Sequence, residues 1–404
     1  MYRTVLVSLP VLLCLAACQN DQPPSVQALI NPAAVSSRFA NLSEPVDGSV
    51  WMSWYETSKD ATTTLKIARF ADNQWGPAQT VVTRSDLFLN WADVAAVSQI
   101  SPASIAVHWL ERNGDKPYAY DVRLVMSTDG GNTFTEPRTP HDDATASEHG
   151  FVSHVATANG VGLVWLDGRD TATLGTMQLR YAEFAHDGTL NSESILDERV
   201  CECCQTAAVR LSDRTLVAYR DRSATDVRDI AMTVRRDGAG WSTLGVPVAD
   251  NWRVTGCPVN GPAMAANGKT IALAWYTQID GQGVVRVARS TDRGHSFRET
   301  QLALDGNTLG RADIIVLDDA DIIVSWLQRD AADSSRAHWR MQRFDLHGRP
   351  GPLLDVAEVS AERSSGFARM QRLGNRLLFT WTDTDAKQPQ VRTALIALAR
   401  LART

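Results

Sequence analysis

The chain has 404 residues and a formal net charge of −6, with 44% hydrophobic and 21% charged residues. Acids and bases are interspersed and no basic block occurs, so the electrostatic footprint of a nucleic-acid partner is missing. After the first residues there is no low-complexity segment and no second linker, and the bulk of the chain reads as one compact unit.

The opening "MYRTVLVSLPVLLCLAACQN" places one arginine before an apolar run that stops at small residues and a cysteine. This is the layout of a secretory signal, too short to cross a bilayer as a stable helix. Leu15-Ala16-Ala17-Cys18 resembles the lipobox of bacterial lipoproteins. The resemblance implies cleavage before Cys18, lipidation of Cys18 and a membrane anchor through that lipid; Gln19 after it implies the outer membrane, facing the periplasm or the outside. The expected organisation is a signal peptide over 1–17, a lipidated polar tether and closing strand over 18–36, and the folded unit over 37–404. An exported chain folds in an oxidising compartment.

From residue 37 onward the sequence repeats. Short apolar, β-branched runs end in an aromatic at Trp54, Trp109, Trp165, Tyr219, Trp275, Trp326 and Trp381, separated by 51 to 56 residues. Each unit has one β-patterned run before this one and one or two after it, punctuated by Gly, Asp and Asn. A period of that size built from short strands predicts an all-β propeller of seven blades, with six as the alternative. The seventh unit has little room for a fourth strand, and residues 25–31, "SVQALIN", are expected to supply it and close the ring.

"STDGGNTF" (Ser127, Asp129, Gly131, Phe134) and "STDRGHSF" (Ser290, Asp292, Gly294, Phe297) stand at the same place in two repeats. Both resemble the Asp-box of sialidase-like propellers, a hairpin turn in which the Asp accepts backbone amides, the Gly takes positive φ and the aromatic packs beneath. The resemblance implies a structural role on the face opposite the active site. A sialidase also needs three arginines on a carboxylate, a tyrosine activated by a glutamate, and an acidic aspartate. Arg38, Arg311 and Arg369 fall on first strands of neighbouring units, but no tyrosine stands in a convincing pair with a glutamate on the central face. A binding module is therefore expected, with an exo-glycosidase of the sialidase type acting on acidic glycans as the alternative; whether the chain is an enzyme stays open.

Counting back from each aromatic, Cys201 and Cys257 hold equivalent places, as do Arg38, Asp93, His149 and Cys203. In a propeller these ring the mouth of the central channel. Strand alternation turns Cys201 and Cys203 to one face and Glu202 and Cys204 to the other. Cys201, Cys203, Cys257 and His149, with Cys204 alongside, are the ingredients of a zinc or copper site; equally, Cys257 can form a disulfide with Cys201 or Cys203. Charged residues after the aromatic runs, among them Asp167, Arg169 and Asp221, join Arg38, Asp93, Arg311 and Arg369 as candidate contacts to a carbohydrate or an envelope protein; solvated turns and salt bridges are the other reading of the same residues.

Overall fold

The computed structural model describes residues 26–401 apart from 159, 302–306, 319 and 386. Its strands form seven antiparallel sheets, the blades of a propeller, each a meander in sequence order. Blade 1 comprises Ser37–Leu42, Val50–Thr57 and Thr63–Ala71, with Gln74–Trp75 and Gln79–Arg84 on its outer edge. Blade 2 has three strands, Ala96–Gln99, Ile105–Arg112 and Tyr120–Ser127. Blade 3 is His149–Thr157, Gly160–Asp167, Met177–Ala185 and Leu190–Val200; blade 4 is Ala207–Leu211, Arg214–Arg220, Ile230–Arg236 and Trp241–Gly245. Blade 5 is Ala263–Asn267, Thr270–Ile279, Gln282–Ser290 and Arg298–Gln301; blade 6 is Thr308–Val316, Ile322–Arg329, Arg336–Phe344 and Pro350–Ser360. Blade 7 is Arg369–Leu373, Arg376–Asp383 and Gln390–Ala397, completed by Gln27–Leu29.

The seven repeated aromatics all lie on second strands, which are almost wholly buried because both faces of a blade's middle are covered by neighbouring blades. The cores accordingly sit between blades: Trp51, Tyr55, Leu65 and Ile67 of blade 1 pack with Val97, Ile105, Val107 and Trp109 of blade 2. The fourth strand of blade 2 is reduced to a bridge at Leu124 and Arg138, in a stretch where Pro137 and Pro140 cannot donate to a ladder. The closing strand is realised over Gln27–Leu29, antiparallel to the last strand, with Gln27 opposite Leu395 and Leu29 opposite Thr393.

First strands start on what we call the upper face, which also carries the connections between second and third strands. Both Asp-boxes lie on the lower face, after the third strands of blades 2 and 5. There Asp129 accepts the amides of Asn132 and Thr133 at 3.0 and 2.9 Å, and Gly131 takes a φ of 84° and donates to Ser127 Oγ at 2.9 Å. Asp292, Gly294 and Ser290 repeat the arrangement, and Phe134 and Phe297 pack against the inter-blade cores.

Near the upper end of three first strands a bulge puts a non-glycine residue into left-handed backbone: Phe39 (φ 56°), Phe151 (φ 55°) and Arg311 (φ 51°). The bulge turns the amide out of its own ladder, and a neighbouring blade accepts it. Thr382 Oγ1 takes Phe39 N at 3.0 Å, Asp93 Oδ2 takes Phe151 N at 2.6 Å and Asn260 Oδ1 takes Arg311 N at 2.7 Å. Blade-to-blade registration is thus set by side chains at the channel mouth.

Candidate functional site

Residues 201–206 cross from blade 3 to blade 4 over the upper face as a turn, so the alternation expected of a strand does not apply to the cysteines. The turn brings Cys201 and Cys204 together, Sγ to Sγ 3.5 Å, and sends Cys203 outward into a disulfide with Cys257, 54 residues on in the crossing between blades 4 and 5. Burial is graded across the group: Cys201 and Cys204 are each 1% exposed, Cys203 is 9% exposed and Cys257 is exposed. Arg228 Nη1 donates to Cys201 Sγ at 3.2 Å and to Glu202 Oε2 at 3.1 Å, and Arg222 pairs with the other Glu202 oxygen. The Cys204 thiol donating to Cys201, and then Arg228, bring Cys201 down to about 6 against the opposing effect of burial. Burial pushes the Cys204 thiol up. Beneath them Arg220, 1% exposed, donates to the carbonyls of Asn260, Arg228 and Tyr276 and so ties both crossings together.

His149 does not join this group: among the described residues, the cluster around the thiols holds Cys201, Cys203 and Cys204. Its Nδ1 faces the Tyr120 carbonyl at 3.2 Å, which directs the ring toward blade 2 and away from the cysteine turn. There it stacks on His141 with ring centroids 3.8 Å apart, between Asp121, Asp143 and Asp167. Burial, then the neighbouring His149, hold His141 below the ordinary histidine range.

The channel mouth itself is filled. Trp91, in the crossing from blade 1 to blade 2, stacks on Phe367 at 5.7 Å, and Gln205 bridges the Ala92 carbonyl and the Gly261 amide. Two guanidinium groups lie over the Trp91 ring, Arg311 at 4.8 Å and Arg363 at 5.7 Å. Arg311 is 5% exposed and donates to Ser365 Oγ and to the Gly366 and Glu362 carbonyls. Burial first, then the charges of Arg329 and Arg363, push it down to about 10, with Glu362 the one opposing charge. Among the described residues none of these three arginines is in an ion pair, whereas Arg84, Arg169, Arg228, Arg286 and Arg336 all are.

The other candidate contacts are used by the fold. Asp167 is fully buried and accepts the Trp165 indole at 2.9 Å and the Arg169 guanidinium at 2.8 Å. The same acceptor two residues after the aromatic recurs at Trp54–Glu56, Trp109–Glu111 and Trp326–Gln328. Asp93 is 3% exposed under the Phe151 amide, which takes it out of reach of a ligand. Asp221 is half-buried and raised by that burial to about 6. Arg38 lies near the Phe39 ring, and Arg369 lines a channel cavity of about 250 Å³ with His154 and Arg210. Arg311 therefore meets Arg329 and Arg363 in place of the expected Arg38 and Arg369.

Two tyrosine–glutamate pairs exist among the described residues: Tyr120 donates to Glu148 at 2.8 Å between blades, and Tyr181 donates to Glu183 at 3.2 Å along one strand of blade 3, where Arg235 donates to both. Both tyrosines, however, are fully buried, Tyr120 stacked on Phe88 at 4.0 Å and Tyr181 edge-on to Trp241 at 4.9 Å, so neither hydroxyl can serve as a nucleophile toward a ligand on the face. Trp91, Arg363 and Arg228 also escaped sequence reasoning; they sit in crossings and loops that carry no motif.

The architecture is a seven-bladed β-propeller, a fold it shares with solved structures of polysaccharide lyases and a phage endosialidase. No protein-family model and no curated protein matches the chain. Among solved structures it is similar to the polysaccharide lyase Uly1 (TM-score 0.57, 11% identity, 90% of this chain and 91% of that one). It is also similar to a PL25 ulvan lyase bound to -[GlcA(1-4)Rha3S]- (TM-score 0.53, 12% identity, 93% and 95%). A third is the endosialidase of phage phi92 (TM-score 0.50, 8% identity, 93% and 69%). At these identities the likeness establishes the fold.

Proposed function

We propose that this chain is a cell-envelope lipoprotein whose propeller binds anionic glycan through the upper face, without cleaving it. The observation that carries the reading is the pair Arg311 and Arg363 over the Trp91 ring, with Arg329 acting on Arg311 as a third positive charge and none of the three in an ion pair among the described residues. Arginine forks match carboxylate and sulfate oxygens, and an aromatic face supports a sugar ring. An anionic ligand also relieves the repulsion that Arg329 and Arg363 exert on Arg311. The propellers it resembles support the class of ligand: one is bound to a repeat containing glucuronate and sulfated rhamnose, another is named an endosialidase. Binding is preferred over cleavage because the tyrosines of both tyrosine–glutamate pairs, Tyr120 and Tyr181, are fully buried.

The test is calorimetric titration of the protein with a glucuronate-bearing oligosaccharide and with its carboxyl-reduced neutral counterpart. The charged ligand is expected to bind, to weaken as salt is raised, and to lose affinity by ~10-fold or more in Arg363→Ala, the size of a lost charge-assisted hydrogen bond. Equal binding of the neutral ligand, or no change in Arg363→Ala, refutes the reading.

A further inference from the structure

The dithiol beneath the disulfide has no part in glycan binding, and its layout is that of a redox centre. Cys201 and Cys204 are spaced as Cys-x-x-Cys, with their sulfurs in contact and the first of them held by a guanidinium. Neither is reachable from solvent, but Cys203 is, through its bond to exposed Cys257. The sulfurs of Cys201, Cys203 and Cys204 all lie within 4.8 Å of one another, so the buried dithiol and the surface disulfide form one continuous sulfur path. Arg228 and Arg220 beside the thiols favour a thiolate and oppose a bound cation, which argues for exchange chemistry over a zinc or copper site.

We propose that these four cysteines form a thiol–disulfide relay that carries two electrons from the buried Cys201/Cys204 dithiol through Cys203–Cys257 to an external disulfide. In the first step the Cys201 thiolate attacks Cys203 Sγ; the Cys201–Cys203 bond forms, the Cys203–Cys257 bond breaks, and Cys257 leaves as a thiolate that takes a proton from water. In the second step Cys204 gives its proton to solvent and attacks Cys201 Sγ; the Cys201–Cys204 bond forms and Cys203 leaves as a thiolate. These two steps together are an isomerisation, with no electrons gained or lost. The surface dithiol then attacks the external disulfide: Cys257 forms a mixed disulfide and expels one thiolate, and Cys203 resolves it, expelling the second and restoring Cys203–Cys257. The net reaction oxidises Cys201 and Cys204 and reduces the external disulfide to two thiols.

Native-state alkylation of the full-length protein tests this, with N-ethylmaleimide, no added reductant, and peptide mapping over time. The relay requires label to accumulate on Cys257 while Cys201 and Cys204 become linked, because each forward exchange exposes the surface thiols. Cys201→Ser is expected to slow labelling of Cys257 by ~10-fold or more, since the attacking thiolate is gone. Cys204→Ser is expected to trap the Cys201–Cys203 bond with Cys257 labelled. Added oxidised glutathione is expected to be reduced in proportion to Cys201–Cys204 linkage in the unlabelled wild type. A Cys203–Cys257 bond that stays unlabelled throughout overturns the proposal, as does label appearing first on Cys201 or Cys204, or a stoichiometric metal on the thiols. The wild-type time course alone decides the matter if a variant does not fold.

Discussion

Asp93 stands where the repeat places groups around the channel mouth, and the fold uses it to hold blade 3 against blade 2. Burial drives its carboxyl up to about 7, with the Glu148 charge adding to the effect against the Phe151 amide. The folded protein therefore holds this proton more tightly than the unfolded chain, whose value stays near 3.8. Its contribution is complete below about pH 4, declines as pH rises toward 7 and is then lost, a change on the order of 4 kcal/mol. Asp93→Asn keeps an oxygen for the Phe151 amide and removes the titration. The two proteins should melt alike near pH 4, and the variant should gain on the wild type progressively up to pH 8. Parallel melting curves across that range would count against a buried proton at Asp93. Offset counting from the aromatics brings Asp93 and the cysteine crossings to the upper mouth, because the period is written in the hydrophobic runs, but it also places His149 with the cysteines, which the structure separates. It cannot tell a group that faces a ligand from one that caps a neighbouring amide. That distinction depends on left-handed backbone at Phe39, Phe151 and Arg311, residue types that carry no signature of positive φ.

At the scale of one turn, the two Asp-boxes and the cysteine turn separate what is legible from what is not. A box is self-contained: Asp129 meets Ser127, Asn132 and Thr133 within its own hairpin, so eight residues suffice to recognise it. Residues 200–204 carry no Gly, Pro, Asn or Asp to mark a turn and so read as a strand, and what bends them is the crossing between blades, fixed by Arg220 and Arg228 from elsewhere in the chain. The box predicts its own perturbation. Asp129→Ala removes the acceptor of two amides and two hydroxyls, so the Asn132 and Thr133 amides should exchange faster with deuterium and the melting temperature should fall by a few degrees. Affinity for an anionic glycan should be unchanged, because the box lies on the lower face. A loss of affinity comparable to that of Arg363→Ala would show that the binding face has been assigned to the wrong side.

Ring closure gives the whole molecule a direction. Asn31 and Ser37 bond to the backbone of Val391, so the start and end of the folded unit are locked together. The last blade's third strand, Gln390–Ala397, descends from the upper to the lower face. The closing strand Gln27–Leu29 is antiparallel to it and ascends, which puts residue 26 at the outer rim of blade 7 on the lower side. If Cys18 carries lipid, the intervening residues reach at most about 28 Å from the bilayer to that rim. Such an anchor would hold the Asp-box face toward the membrane and turn Arg363, Trp91 and Cys257 away from it, where a polymeric glycan or a disulfide-bonded partner could approach. Two measurements check this orientation. Cys18→Ser should leave the membrane fraction, since no other anchor is expected. In vesicles carrying nitroxide lipids, a fluorophore placed through Asn132→Cys on the lower face should be quenched more strongly than one placed through Ala332→Cys on the upper face. Equal or reversed quenching would mean that the closing strand does not set how the propeller stands on the membrane.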